Sequence, residues 1–232
     1  MARTDIVAET APTPQRPRRW IGKRIGFALS TKRTIRGITV GWPFPSRAEL
    51  DTSVGKITQA LDLIAAHDPR RMTRIQRDVQ RIFVWGGIGF AGCWIHELRM
   101  CQLNFMWVLD NQTTVPDIAC TIVHEATHGR IRTTGIRYHE PLRGRIERLC
   151  RQSEIDFAST LPESASVLER LHKKPEIVTA EYTNESLFWH KWRALRREMK
   201  DDGWPKWLIR VLMRVGQRRA DRFGYRSDVP SE

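Results

Sequence analysis

The sequence predicts an α+β protein in which a small β-sheet packs on a central helix and several C-terminal helices follow. Apolar residues at helical spacing mark residues 46–68, strand-like runs lie between 81 and 109, and the chain beyond Gly135 shows only helix-period segments. A hydrophobic content of 41% with 28% charged residues fits a folded globule and excludes a chain that is disordered throughout.

Residues 1–19, with three prolines and cations at Arg3, Arg16, Arg18 and Arg19, read as a flexible basic tail. From Trp20 to Pro45 short strand-like pieces are expected, the clearest being Ile35–Trp42, closed by Pro43 and Pro45. Ser46 then caps a helix whose stripe is Leu50, Val54, Ile57, Leu61 and Ile64, ending near Asp68-Pro69. A short Arg-rich helix follows over 69–76. Strands are expected at 81–85, 90–98 and 101–109, the first two joined by a Gly-rich turn. Thr113 or Thr114 caps the next helix, with Pro116 and Asp117 in its first turn and Gly129 as its expected stop. Further helices are expected at 140–160, 163–173, 182–201 and 205–222.

The chain carries 39 Lys and Arg against 26 Asp and Glu, a net +13. Residues 1–47 hold 10 basic and 2 acidic residues and residues 161–232 hold 15 and 11, whereas the stretch between is close to neutral. Basic ends of this kind can engage nucleic acid or an anionic membrane surface. Four cysteines without a C-x-x-C pair, and no early apolar run long enough for a signal peptide, lead us to expect a cytoplasmic chain with reduced thiols, peripheral to a membrane if the basic ends engage one.

The informative segment is Ile122-Val123-His124-Glu125-Ala126-Thr127-His128, an H-E-x-x-H. Four residues make about one helical turn, so both imidazoles project from one face and can share a metal ion, with Glu125 beside them. Seven His and 14 Glu in 232 residues give a chance expectation on the order of 0.01 such motifs. Downstream, Glu147, Cys150, Glu154 and Phe157 share one face of the following helix, so two acids point the same way. The positions three and six residues after His128 hold Ile131 and Thr134, which excludes the Gly and His of a metzincin.

H-E-x-x-H followed by eighteen residues and then Glu147 resembles the gluzincin branch of the zincin-like metallopeptidases. The resemblance covers about residues 80–160. It implies a zincin-like domain over 20–160, with 161–232 a helical extension packed on it. It also implies one Zn²⁺ held by His124, His128 and Glu147, and Glu125 as the general base that takes a proton from a metal-activated water to hydrolyse a peptide bond in a protein or peptide substrate. Glu154 competes for the third position, because Glu154-Ile-Asp-Phe-Ala158 with Leu161-Pro162 is similar to the pattern of IrrE-type regulatory metallopeptidases. Whichever acid does not bind the ion can orient a His instead.

Tyr138 and His139 are candidates for the donor to a developing oxyanion. Cys120 and Cys150, each one turn from a motif residue, read as small core residues rather than ligands. His96-Glu97 reads as exposed or hydrogen-bonded on a strand. Near the C-terminus, Trp204, Trp207, Leu208, Val211, Leu212 and Val215 form an apolar stripe expected to pack on the domain. The alternative function from a different class is a basic nucleic-acid- or membrane-associated binding protein whose zinc site is structural or catalytically silent.

Overall fold

The computed structural model describes residues 18–86, 90–136, 139–173, 183–201 and 203–225. The elements are α1 (Arg18–Leu29), β1 (Thr31–Ile35), β2 (Ile38–Trp42), α2 (Arg47–His67), α3 (Pro69–Asp78), β3 (Arg81–Trp85), β4 (Gly92–Ile95), β5 (Met100–Asn104), α4 (Phe105–Leu109), α5 (Val115–Thr133), α6 (Glu140–Ala158), α7 (Ser164–Lys173), α8 (Asn184–Asp201) and α9 (Lys206–Arg222). The architecture is α+β, with one mixed five-stranded sheet in the order β1-β2-β3-β5-β4. β2, β3 and β5 run parallel in the middle, and the antiparallel strands β1 and β4 form the two edges.

Local chemistry explains most boundaries. Ser46 and Glu49 form a reciprocal capping box at the start of α2: the Ser46 hydroxyl accepts from the Glu49 N–H and the Glu49 carboxylate accepts from the Ser46 N–H. Thr114 and Asp117 do the same for α5, with Pro116 in its first turn. The expected strand Ile35–Trp42 is split by a turn at Arg36-Gly37, both at positive φ, so its beginning belongs to β1 and its remainder to β2. The region expected as 101–109 is strand only to Asn104, whose side-chain carbonyl accepts from the N–H groups of Met106 and Trp107 and starts α4.

The sheet has two covered faces. On one, Val40, Trp42, Ile82, Val84 and Leu103 pack with α2, α3 and α5 in the main core, which Phe157 of α6 and Val167 and Leu171 of α7 complete. On the other, Phe83, Ile95 and Met100 pack with Phe27 of α1, the Phe27 and Phe83 rings meeting edge-on at 5.4 Å. Helix α1 stands where strand-like pieces were expected. Its sequence, RRWIGKRIGFAL, has too little apolar periodicity to announce a helix, and its place is set by Phe27 docking on the sheet.

Gly129 does not stop the helix that carries H-E-x-x-H; α5 continues to Thr133. The glycine serves packing instead, because a Cβ there would lie 2.8 Å from the Trp94 ring of β4. Gly129→Ala therefore sets a helix-propensity gain of about 1 kcal/mol against overpacking of about 1–3 kcal/mol. We expect net destabilisation in urea unfolding; a neutral or stabilised variant would show that Trp94 yields freely.

Candidate metal centre

Helix α5 is the element on which the site is built. It lies between the sheet and α6, and it is buried along Ile118–Val123, so its apolar side is committed to the core. That commitment fixes its rotation and turns His124, Glu125 and His128 toward β4 and α6. α6 runs antiparallel to α5: His128 meets Glu147, whereas His124, one turn earlier, reaches both Glu147 and Glu154. A second link between the helices is the Thr127 hydroxyl, which hydrogen-bonds Ser153 at 3.0 Å.

The distances are specific. Glu147 Oε2 lies 3.4 Å from His124 Nε2 and 3.5 Å from His128 Nε2. A tetrahedral ion with bonds of about 2.1 Å holds its ligand atoms about 3.4 Å apart. Glu154 Oε2 lies 3.4 Å from the other nitrogen of His124, Nδ1. The carboxylate behind a metal-facing imidazole fixes its tautomer and ring orientation, and Glu154 stands where such a partner belongs. Cys150 is fully buried between the two acids, and its sulfur can come within 4.8 Å of ligand nitrogens of both histidines. The His-His-Cys set is therefore a rival donor set, and one that spacing alone gave little reason to prefer. Glu147 differs from it in spacing, its oxygen lying at the separation of directly shared ligands, while burial together with Glu147, Glu125 and Glu154 raises the Cys150 thiol, a shift that a bound cation would oppose.

The same crowding sets the other charges. Burial opposes a charge on His124, but hydrogen bonds to Glu147 and Glu154 outweigh it and raise the imidazolium to about 10. Burial likewise works against the Glu147 carboxylate, and the two histidines overcome it and hold the group well below the ordinary carboxylate range. Glu125 is 6% exposed, and burial lifts its pKa in spite of the neighbouring imidazoles. Its side chain lies under β4: a Cβ on Gly92 would come within 3.2 Å of Glu125 Cγ and 2.8 Å of Thr121 Cγ2. Only a residue without a Cβ lets the strand run this close to Glu125.

The remaining sequence candidates are distributed differently. His139 is the N-cap residue of α6, about 12 Å along the helix axis from Glu147 by the 1.5 Å rise, and Tyr138 lies outside the described residues. Cys120 is in the core, as expected. His96 is hydrogen-bonded, as expected, but lies just past the strand rather than on it. It opens a short 3₁₀ turn directly after β4, its Nδ1 accepts the Trp94 indole N–H at 2.8 Å, and burial plus the charges of His128 and Arg132 lower its pKa to about 4. It is thus a neutral imidazole close to the cluster, a role its place in the sequence did not signal.

No protein-family model matches the chain, no curated protein matches its sequence, and no solved structure matches its fold.

The electrostatics give a pH dependence for chelator-treated protein. The contribution of His124 is fully present below the free imidazole value of 6.5 and is lost as pH rises through about 10. The thermal midpoint should fall across that interval, and Glu147→Gln should flatten much of the slope. A wild-type profile that is level from 6.5 to 10 would contradict the charged His124–Glu147 contact.

Proposed function

We propose that this protein is a zinc-dependent metallopeptidase, with His124, His128 and Glu147 holding the ion and Glu125 acting as general base. The observation that carries the reading is the Glu147 oxygen, at 3.4 and 3.5 Å from the two Nε2 atoms. Two imidazoles and one carboxylate suit zinc and leave a fourth tetrahedral position open for water or substrate. A zinc ion held there would supply Lewis-acid polarisation of a carbonyl and acidify a water molecule.

The chain's own residues do the rest. Glu154 holds His124 by Nδ1 and leaves Nε2 for the ion. Glu125, with its raised pKa, is suited to take the proton from water and return it to the leaving amine. β4 pairs with β5 on one side only, and among the described residues no strand covers its other edge. An extended peptide could pair with that edge, directly above Glu125 at Gly92. His96, held by Trp94 with Nε2 protonated, is the neutral donor best suited to a developing oxyanion on this side, in place of His139.

Glu125→Gln keeps the shape of the side chain and removes the base. It should lower turnover of a fluorogenic peptide library by about 10²–10⁴-fold while the purified protein still carries one zinc per chain. Turnover that survives this substitution, or wild-type protein purified without zinc, would overturn the proposal.

A further inference from the structure

Four of the six residues of the C-terminal apolar stripe face solvent, contrary to the expectation that the stripe packs on the domain, while Leu208 and Leu212 are half-buried. Trp204, just before α9, and Trp207, Val211 and Val215 recur at intervals of three or four and are 47%, 61%, 45% and 49% exposed. α9 docks through another face. Ile209, Gly216 and Ala220 are buried, and a Cβ at Gly216 would lie 2.8 Å from the Trp192 ring of α8. The helix has therefore met its packing requirement without these four exposed residues.

Cations interleave with the exposed apolar residues. Lys206–Arg222 contains six basic residues and one acid, Asp221, and Lys206, Arg210, Arg214 and Arg218 are all exposed. At about 100° per residue, Arg214 and Arg218 project within about 20° on either side of Trp207. We propose that this face of α9 binds an anionic lipid surface.

The chemistry favours that occupant over two others. Val211 and Val215 gain from leaving water but have nothing to offer a stacked base, which argues against nucleic acid. A second copy of the chain would set six like cations against themselves. A bilayer interface takes the valines and the indole bodies at the acyl boundary, while the long Arg side chains extend to lipid phosphates. No helix among the described residues is long and apolar enough to cross a membrane, so α9 would lie on the surface. The proposal stands independently of the metal centre.

Co-sedimentation of the full chain with vesicles tests it. Wild type should pellet with mixed phosphatidylserine–phosphatidylcholine vesicles and only weakly with phosphatidylcholine alone. The double variant Trp207→Ala/Val211→Asp changes solvent-exposed side chains, and its partition should fall at least about tenfold. Trp204→Ala, outside the helix, should lower binding to a lesser degree, and added salt should weaken wild-type binding without abolishing it. Equal partition of wild type and double variant would overturn the proposal, because charge elsewhere would then carry the binding. So would absence of wild-type pelleting, a vesicle-free dimer lost in the double variant, or salt-sensitive binding of duplex DNA lost in that variant.

Discussion

Two imidazoles and two carboxylates face each other across the seam between α5 and α6, and burial makes each of them depend on the others. An isolated buried carboxylate or imidazolium is costly, and removing one partner leaves the rest uncompensated. Here every group has an answer: Glu147 bridges both histidines, Glu154 takes the back of His124, and Thr127 and Ser153 pin the helices beside them. In the proposed metal centre, protons and a metal ion would compete for the same donors, because an imidazole nitrogen that carries a proton cannot bind an ion. This competition joins the fold to the chemistry. The contacts that hold the two helices in register are also those that set the spacing of the donor atoms.

The sheet supplies the second constraint. Its edge strand β4 runs over α5 at close range, with Gly92 above Glu125 and Trp94 above Gly129. These approaches place a strand edge that no other strand covers among the described residues, an acid and a cluster of metal-type donors within one small region, although they come from three separate segments of the chain. Trp94 serves twice, filling the space over Gly129 and orienting His96 through its indole N–H. The core beneath is apolar and contiguous, from Trp42 and Ile82 in the sheet to Ile122 in α5 and Phe157 in α6, so α5 has little freedom to rotate its histidines away.

The parts of this arrangement that were legible in the sequence are those written in local pattern. The 3.6-residue period of α2, its Ser46–Glu49 box, and the H-E-x-x-H turn with Glu147 and Glu154 on one face of the next helix all depend on neighbours close in sequence. What was not legible depends on distant contacts. α1 is positioned by Phe27 on the sheet, and Gly129 is explained by Trp94 rather than by a helix end. The last helix showed its apolar stripe, but which face docks was decided by the fit of Gly216 to Trp192. Counting charge by segment also says nothing of how charges group in space: Arg71, Arg74 and Arg130 line a cavity of about 270 Å³ beside α5, with Asp78 among them.

The central claim is that Glu147, not Cys150, completes a zinc site with His124 and His128. Zinc K-edge X-ray absorption of the zinc-loaded protein tests it most directly, since oxygen and nitrogen ligands lie at about 2.0–2.1 Å and a thiolate at about 2.3 Å. The account predicts a first shell of nitrogen and oxygen only, unchanged in Cys150→Ser and lost together with the metal in Glu147→Ala. A sulfur scatterer that disappears in Cys150→Ser would contradict it.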